Sequence, residues 1–179
     1  QGKSYRGERT TQTPATPLPA NQIISVNINN EPVTAIVPVD YMSSDRKYPV
    51  LYFTGSLSET EKAAIGAAVN QLIEENMVCP MLVVFLPLTD TAAFRRLIPQ
   101  LEEKLRIRPG YRFRSIAGYR ETGADALALA IKSYRFSSCW LSDAFFQKEK
   151  MDGLLNENNK EALKRMTIFI EAPDNGHWA

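Results

Sequence analysis

The chain of 179 residues is poor in the side chains that most often carry chemistry: it has two cysteines and a single histidine. Cys79 and Cys139 stand at the edges of apolar runs, their spacing suggests neither a disulfide framework nor a metal site, and both read as buried free thiols. His177 has no companion cysteines or acidic spacing, so no metal or other cofactor is implied, and two residues from the end it reads as an ordinary terminal side chain. Long apolar runs are absent too; Met81 to Leu86 is far short of the roughly 20 residues that a membrane span needs. Charge of one sign is not in excess: 21 basic and 20 acidic residues are interspersed and leave +1, which gives no electrostatic footprint for nucleic acid. No internal repeat is visible.

What is present suits one globular domain, with 44% hydrophobic residues and enough length to bury a sizeable core. Residues 1–21 are polar and proline-bearing, centred on Thr10 to Pro19, and read as an extended tether ahead of a single domain over 22–179. The chain opens at Gln1, as a protein that has lost an export signal would, and the expected location is the periplasm or the outside of the cell; a trimmed chain would look the same. Ile23 to Ile28 alternates, Asn29-Asn30 turns, and Val33 to Val39 returns, which predicts a β-hairpin. Val50 to Phe53 and Met81 to Leu86 read as strands buried on both faces. Ser58 followed by Glu61 is a capping box opening a helix that ends near Asn76, and Phe94 to Leu105 is amphipathic, with Arg95 and Arg96 on its solvated side. Arg114 to Ala117, Ser137 to Leu141 and Met166 to Glu171 complete the strands, with a helix over Asn159 to Arg165. The order predicts an α/β fold, a mostly parallel sheet with helices on both faces and an N-terminal antiparallel hairpin.

The most informative stretch is Gly118-Tyr119-Arg120-Glu121-Thr122-Gly123. A strand runs into Gly118 and a helix-forming run, Ala124 to Ile131, follows, which is the strand, sharp turn and helix of a G-x-S-x-G nucleophile elbow. Arg120 stands where the serine should be, and a guanidinium donates hydrogen bonds but does not attack a carbonyl carbon. Glu121 and Thr122 lack an upstream histidine partner.

Several segments resemble, in order, the α/β-hydrolase esterases of the esterase D, feruloyl esterase and enterobactin esterase type. Val37-Pro38-Val39-Asp40-Tyr41 looks like the family's segment before its third strand, and Tyr48 to Gly55 like the strand ending in His-Gly. Leu72 to Asn76 with Cys79 to Val84, Leu97 to Glu102, Ile116-Ala117-Gly118 and Phe136 to Ser142 are similar to the helices and strands around the elbow, so the resemblance spans roughly residues 23 to 146. It implies a three-layer α/β-hydrolase sandwich and carboxylic ester hydrolysis, with three departures. Arg120 replaces the nucleophile and Thr122 a glycine; Thr54 replaces the histidine of His-Gly; and the chain ends early, as though the last strand and helix were missing. Asp174 would then be the remnant of the family's acid, or His177 the remnant of its histidine, and under either alignment the triad is incomplete.

Three functions remain. The first is a noncatalytic esterase-like module in which Arg120, with Tyr119, Thr54 and Gly55, holds a small anionic or carbohydrate-derived ligand; the bland alternative is that Arg120 pairs with Glu121 or another acid. The second is a hydrolase with an atypical nucleophile, Thr122, Ser56 or Ser58, served by Glu121 or Asp174. The third is an assembly module that self-associates through the open edge strand Met166 to Glu171. Tyr111, Phe113, Trp140, Phe145 and Phe146 read as core or pocket lining.

Overall fold

The computed structural model describes residues 22–86 and 90–171. The tether, Asp174 and His177 lie outside them. Seven strands form one sheet: β1 (Ile23–Ile28), β2 (Glu31–Ile36), β3 (Val50–Thr54), β4 (Leu82–Leu86), β5 (Arg114–Tyr119), β6 (Ser138–Ser142) and β7 (Thr167–Glu171). Their spatial order is β1-β2-β4-β3-β5-β6-β7, antiparallel through β1, β2 and β4 and parallel from β4 to β7. The helices are α1 (Glu59–Glu74), α2 (Thr91–Lys104), α3 (Gly123–Ser133), α4 (Lys148–Leu154) and α5 (Lys160–Lys164).

This order has a consequence for the helices. The chain steps one way from β3 to β4, then crosses back over β3 to β5 and continues to β6 and β7. Right-handed crossovers therefore put α1 on one face and the later helices on the other. The core divides accordingly: Phe53 and Phe85 pack with Ile65 and Val69 of α1, while Tyr52 and Ile116 on the other face join Phe94 of α2 and Leu127 of α3. Strand order reverses beside β3, so the crevice at the carboxyl ends of β3 and β5 is the topological switch point, where open α/β sheets bind ligands.

Local chemistry explains the elements. Asn29 and Asn30 both have positive φ, 51° and 66°, as a two-residue type I′ hairpin turn requires. Because that turn is tight, β2 starts at Glu31 and ends at Ile36 rather than running from Val33 to Val39; Pro38, which lacks an N–H, precedes a 3-10 turn over Val39–Ser43. Ser58 caps α1 as the sequence indicates: Glu61 N–H donates to Ser58 Oγ and Ser58 N–H donates to Glu61 Oε2 at 2.8 Å. Asp90 caps α2 by accepting from the Ala92 and Ala93 amides. Beneath the sheet, Arg114 is buried and ion-paired with Glu102.

Some expectations fail. Helix α4 was not anticipated, since its charged, Gly153-bearing sequence shows no apolar stripe. Cys79 is exposed in the loop before β4 rather than buried; Cys139 is buried, and desolvation pushes its thiol up to about 12. Leu51 and Phe53 of β3 are only half-buried. Of the five aromatics read as core or pocket lining, Tyr111 lines a small pocket and Phe146 packs against the core; Trp140 and Phe145 are exposed, Trp140 on the α1 face where no helix among the described residues covers β6.

Two glycines should respond oppositely to alanine. A Cβ on Gly123 would run into Ala144 Cβ, whereas one on Gly153 of α4 meets nothing within 4 Å. Urea unfolding should show Gly123→Ala destabilised by about 1–3 kcal/mol and Gly153→Ala stabilised by up to about 1 kcal/mol.

Candidate functional site

The parallel register sets Thr54 of β3 beside Gly118 of β5, so the loops leaving these strands meet at the switch point. The turn after β5 keeps the backbone of an elbow. Arg120 has φ 50°, the left-handed region, which costs a non-glycine residue on the order of 1 kcal/mol. Gly118 is obligatory: a Cβ there would lie 2.7 Å from both Ala126 Cβ and the Thr122 carbonyl oxygen. Helix α3 then leaves from Gly123.

Thr122 fills the position where the motif has its second glycine, and its hydroxyl is fully engaged. It donates within reach of Thr54 O and Tyr119 O, each at 2.9 Å, and accepts from Tyr119 N–H at 3.1 Å. Its methyl group occupies the space above Gly55, where a Cβ would approach it to 2.9 Å; Gly55 itself has φ 129°. Thr122 therefore staples β3 to the elbow. Gly55 N–H is also engaged, donating to Leu86 O at 3.1 Å. Thr54 is buried with its hydroxyl donating to Ala117 O at 3.1 Å, which removes that hydroxyl from any ligand.

On the other side, the loop after β6 is latched to the elbow at three points. Asp143 Oδ2 lies 3.5 Å from Arg120 Nε, Phe145 N–H donates to Arg120 O at 3.3 Å, and Ala144 packs against Gly123. Asp143 is fixed in turn by its N–H donating to Glu171 O at 2.9 Å. The acid paired with Arg120 is thus Asp143 and not Glu121. Sequence reasoning missed Asp143; the available signal was its place as the first residue beyond a strand that ends on the same edge as the elbow. The Arg120 guanidinium also lies 4.7 Å over the Tyr119 ring and its side chain stays 53% exposed, so it retains donors for a second anion. Tyr119 is half-buried.

The cleft between these parts, about 110 Å³, is lined by Thr54, Gly55, Ser56, Glu61, Arg120 and Glu121, among others. It brings together the residues singled out in the sequence, but it is small beside the roughly 300–1,000 Å³ of drug-sized ligand sites. Ser58, exposed like Ser56, is held by Glu61, to which its Oγ donates at 2.8 Å, leaving Ser56 as the proposed nucleophile whose hydroxyl is not engaged among the described residues. No histidine occurs among the described residues. A larger groove of about 380 Å³ lies between the hairpin turn and α2, where Arg96 and Gln100 meet Ile28, Pro32 and Leu97. Among the described residues, no group of His, Cys, Asp or Glu could hold a metal ion.

Glu61 is the carboxylate of the cleft held by a cap. Its carboxyl is held below its ordinary 4.5, first by the Ser58 backbone N–H and then by the Ser58 hydroxyl, with a small contribution from the charge of Arg120. A depressed carboxylate adds stability above its unfolded pKa and loses it as pH falls through the folded value. The urea midpoint of the wild type should therefore drop more steeply below about pH 4.5 than that of Glu61→Gln, the two converging once the carboxyl is protonated. Thr122→Val, which leaves Tyr119 N–H without its acceptor, should cost about 1–3 kcal/mol in the same assay, and Thr122→Ser should recover most of it.

No protein-family model matches the sequence, and no curated protein matches it. Solved structures do. A ferulic acid esterase superposes with a TM-score of 0.69 at 17% identity, over 85% of this chain and 78% of its own. The enterochelin esterase of Shigella flexneri gives 0.64 at 13% identity, over 95% of this chain but only 58% of its own length. A CE1 ferulic acid esterase of Anaeromyces mucronatus, in complex with ferulic acid, gives 0.56 at 14% identity, over 97% and 89%. With the strand order and the elbow described above, these likenesses show that the chain has the α/β-hydrolase fold in the form these esterases share.

Proposed function

We propose that this protein is a noncatalytic member of the esterase-type α/β-hydrolases, exported from the cell, whose former active-site cleft binds a small carboxylate. The observation that carries the reading is Arg120, which occupies the left-handed elbow position with its guanidinium against Asp143. Attack on an ester needs a nucleophile there and a base to take its proton. Arginine supplies neither, and the neighbouring hydroxyl of Thr122 is bound to backbone carbonyls.

The exposed part of the guanidinium supports a carboxylate ligand, and the Anaeromyces mucronatus esterase, in complex with ferulic acid, is a precedent for a carboxylic acid bound by a protein of this fold. Only the acid group would enter a space of about 110 Å³, and the rest of the molecule would lie outside. Asp143 would compete with it, so affinity would be modest. Export rests on the polar segment 1–21.

A second reading, self-association, is favoured by β7. This edge strand exposes Ile170, and Phe169 stacks on the exposed Trp140 at 3.9 Å between ring centroids. Sedimentation should then give a dimer that Ile170→Lys dissociates.

The deciding experiment is hydrolysis of a short-chain aryl ester by the folded protein, beside Arg120→Ser and an active esterase of this fold. Wild type and Arg120→Ser should both remain at background, the latter because restoring a hydroxyl does not restore a base. Turnover comparable to the active esterase would overturn the noncatalytic reading. Ferulate should raise the thermal midpoint of the wild type and not that of Arg120→Ala; no shift in either would remove the ligand.

A further inference from the structure

The edge of the sheet opposite the elbow gathers cations that the net charge of +1 conceals. Between Lys104 and Arg114 the chain carries Arg106, Arg108 and Arg112 and no acid. The loop before β3 is tied to this stretch: Tyr48 N–H donates to Arg106 O at 2.8 Å and Arg108 N–H donates to Tyr48 O at 2.7 Å. Arg46 and Lys47 are thereby placed alongside, and Arg165, just before β7, lies 4.7 Å over the Tyr111 ring next to Arg112. Arg46, Lys47, Arg108, Arg112 and Arg165 are all exposed. Against them stand Asp40, which pairs with Arg46 at 3.3 Å, and the exposed Asp45.

Two aliphatic side chains protrude at the same place. Val39 and Met42 are three residues apart on a 3-10 turn, where such positions eclipse, and they are 67% and 63% exposed. The turn is not free to tuck them in. Tyr41, between them in sequence, is buried, accepts from Arg106 N–H at 3.2 Å through its hydroxyl, and carries the Arg106 guanidinium 3.9 Å over its ring.

Fixed, exposed aliphatics flanked by cations suit one kind of partner best. A lipid surface takes the aliphatics into its headgroup region and pairs the cations with anionic lipids. A soluble polyanion would leave Val39 and Met42 without a role. Single-stranded nucleic acid needs open aromatic faces, yet guanidiniums lie over Tyr41, Tyr111 and Phe113. A second copy docked about a two-fold axis would set this strip against itself, cation on cation. We infer that this edge docks on an anionic lipid bilayer, with Val39 and Met42 inserted and Arg46, Lys47, Arg108, Arg112 and Arg165 holding headgroups.

Vesicle sedimentation of the full chain tests this. It should pellet with phosphatidylglycerol-containing vesicles and not with pure phosphatidylcholine, and salt should release it. Met42→Asp should weaken partitioning by roughly tenfold and Lys47→Ala by roughly fivefold, with thermal midpoints unchanged because both side chains are exposed. Failure to pellet with the anionic vesicles overturns the inference, as does pelleting that neither substitution reduces. Retention on heparin without vesicle binding would assign the strip to a soluble polyanion, and a dimer that Met42→Asp dissociates would assign it to a second copy; either outcome also overturns it.

Discussion

The Thr122 hydroxyl is the small contact on which the site depends. With partners on both Tyr119 and Thr54, it joins the end of β3 to the turn after β5 and fixes the distance between the two loops of the crevice. An active elbow of this type has glycine at that place, which leaves the turn to be held by its strand and helix alone. Here the side chain adds a tie, and the tie fills the space over Gly55. The same residue that steadies the turn thereby narrows the cleft, and this accounts for a complete elbow backbone beside a cavity of only about 110 Å³.

Arg120 follows the same logic. The left-handed φ is imposed by the approach of β5 to α3 through Gly118 and Gly123, whatever residue stands between them. A serine there aims its hydroxyl from the top of the sheet; an arginine reaches past it, and its charge has to be answered. Asp143 answers it, and in doing so the loop after β6 is drawn against the turn. At such exposure the pair contributes about 0–1 kcal/mol, so its effect is to set the shape of the crevice rather than to stabilise the fold.

Much of this was legible in the sequence because the signals were local. The capping box at Ser58, the Asn29-Asn30 turn, the apolar runs of β3 and β4 and the glycines of the elbow each act within a few residues, and each stands where the sequence puts it. What escaped depends on distant parts. Cys79 has apolar neighbours in sequence, but a loop exposes it. Asp143 gains its meaning only when β6 is placed beside β5. The cations of the far edge are diluted in a whole-chain sum, and the ties of Tyr41 and Tyr48 to Arg106 and Arg108 bring the two clusters together.

The handedness of the crossovers also decides which surface is left bare. Among the described residues α1 is the one helix on its side of the sheet; it covers Phe53 and Phe85, but the same row continues in register through Ala117 to Trp140 and Phe169, beyond the reach of that helix. Those two rings lie nearly parallel, at 15°, and cover one another's faces. Stacking across neighbouring strands reduces the apolar area that water meets without needing another element of structure. It leaves the outer ring faces exposed, so the α1 face over β6 and β7 is where added chain or a second molecule would gain by burial, while Ile170, in register with Leu141, is exposed on the opposite face. The elbow and the cationic edge lie at opposite ends of the strands, and neither needs that face to keep its geometry.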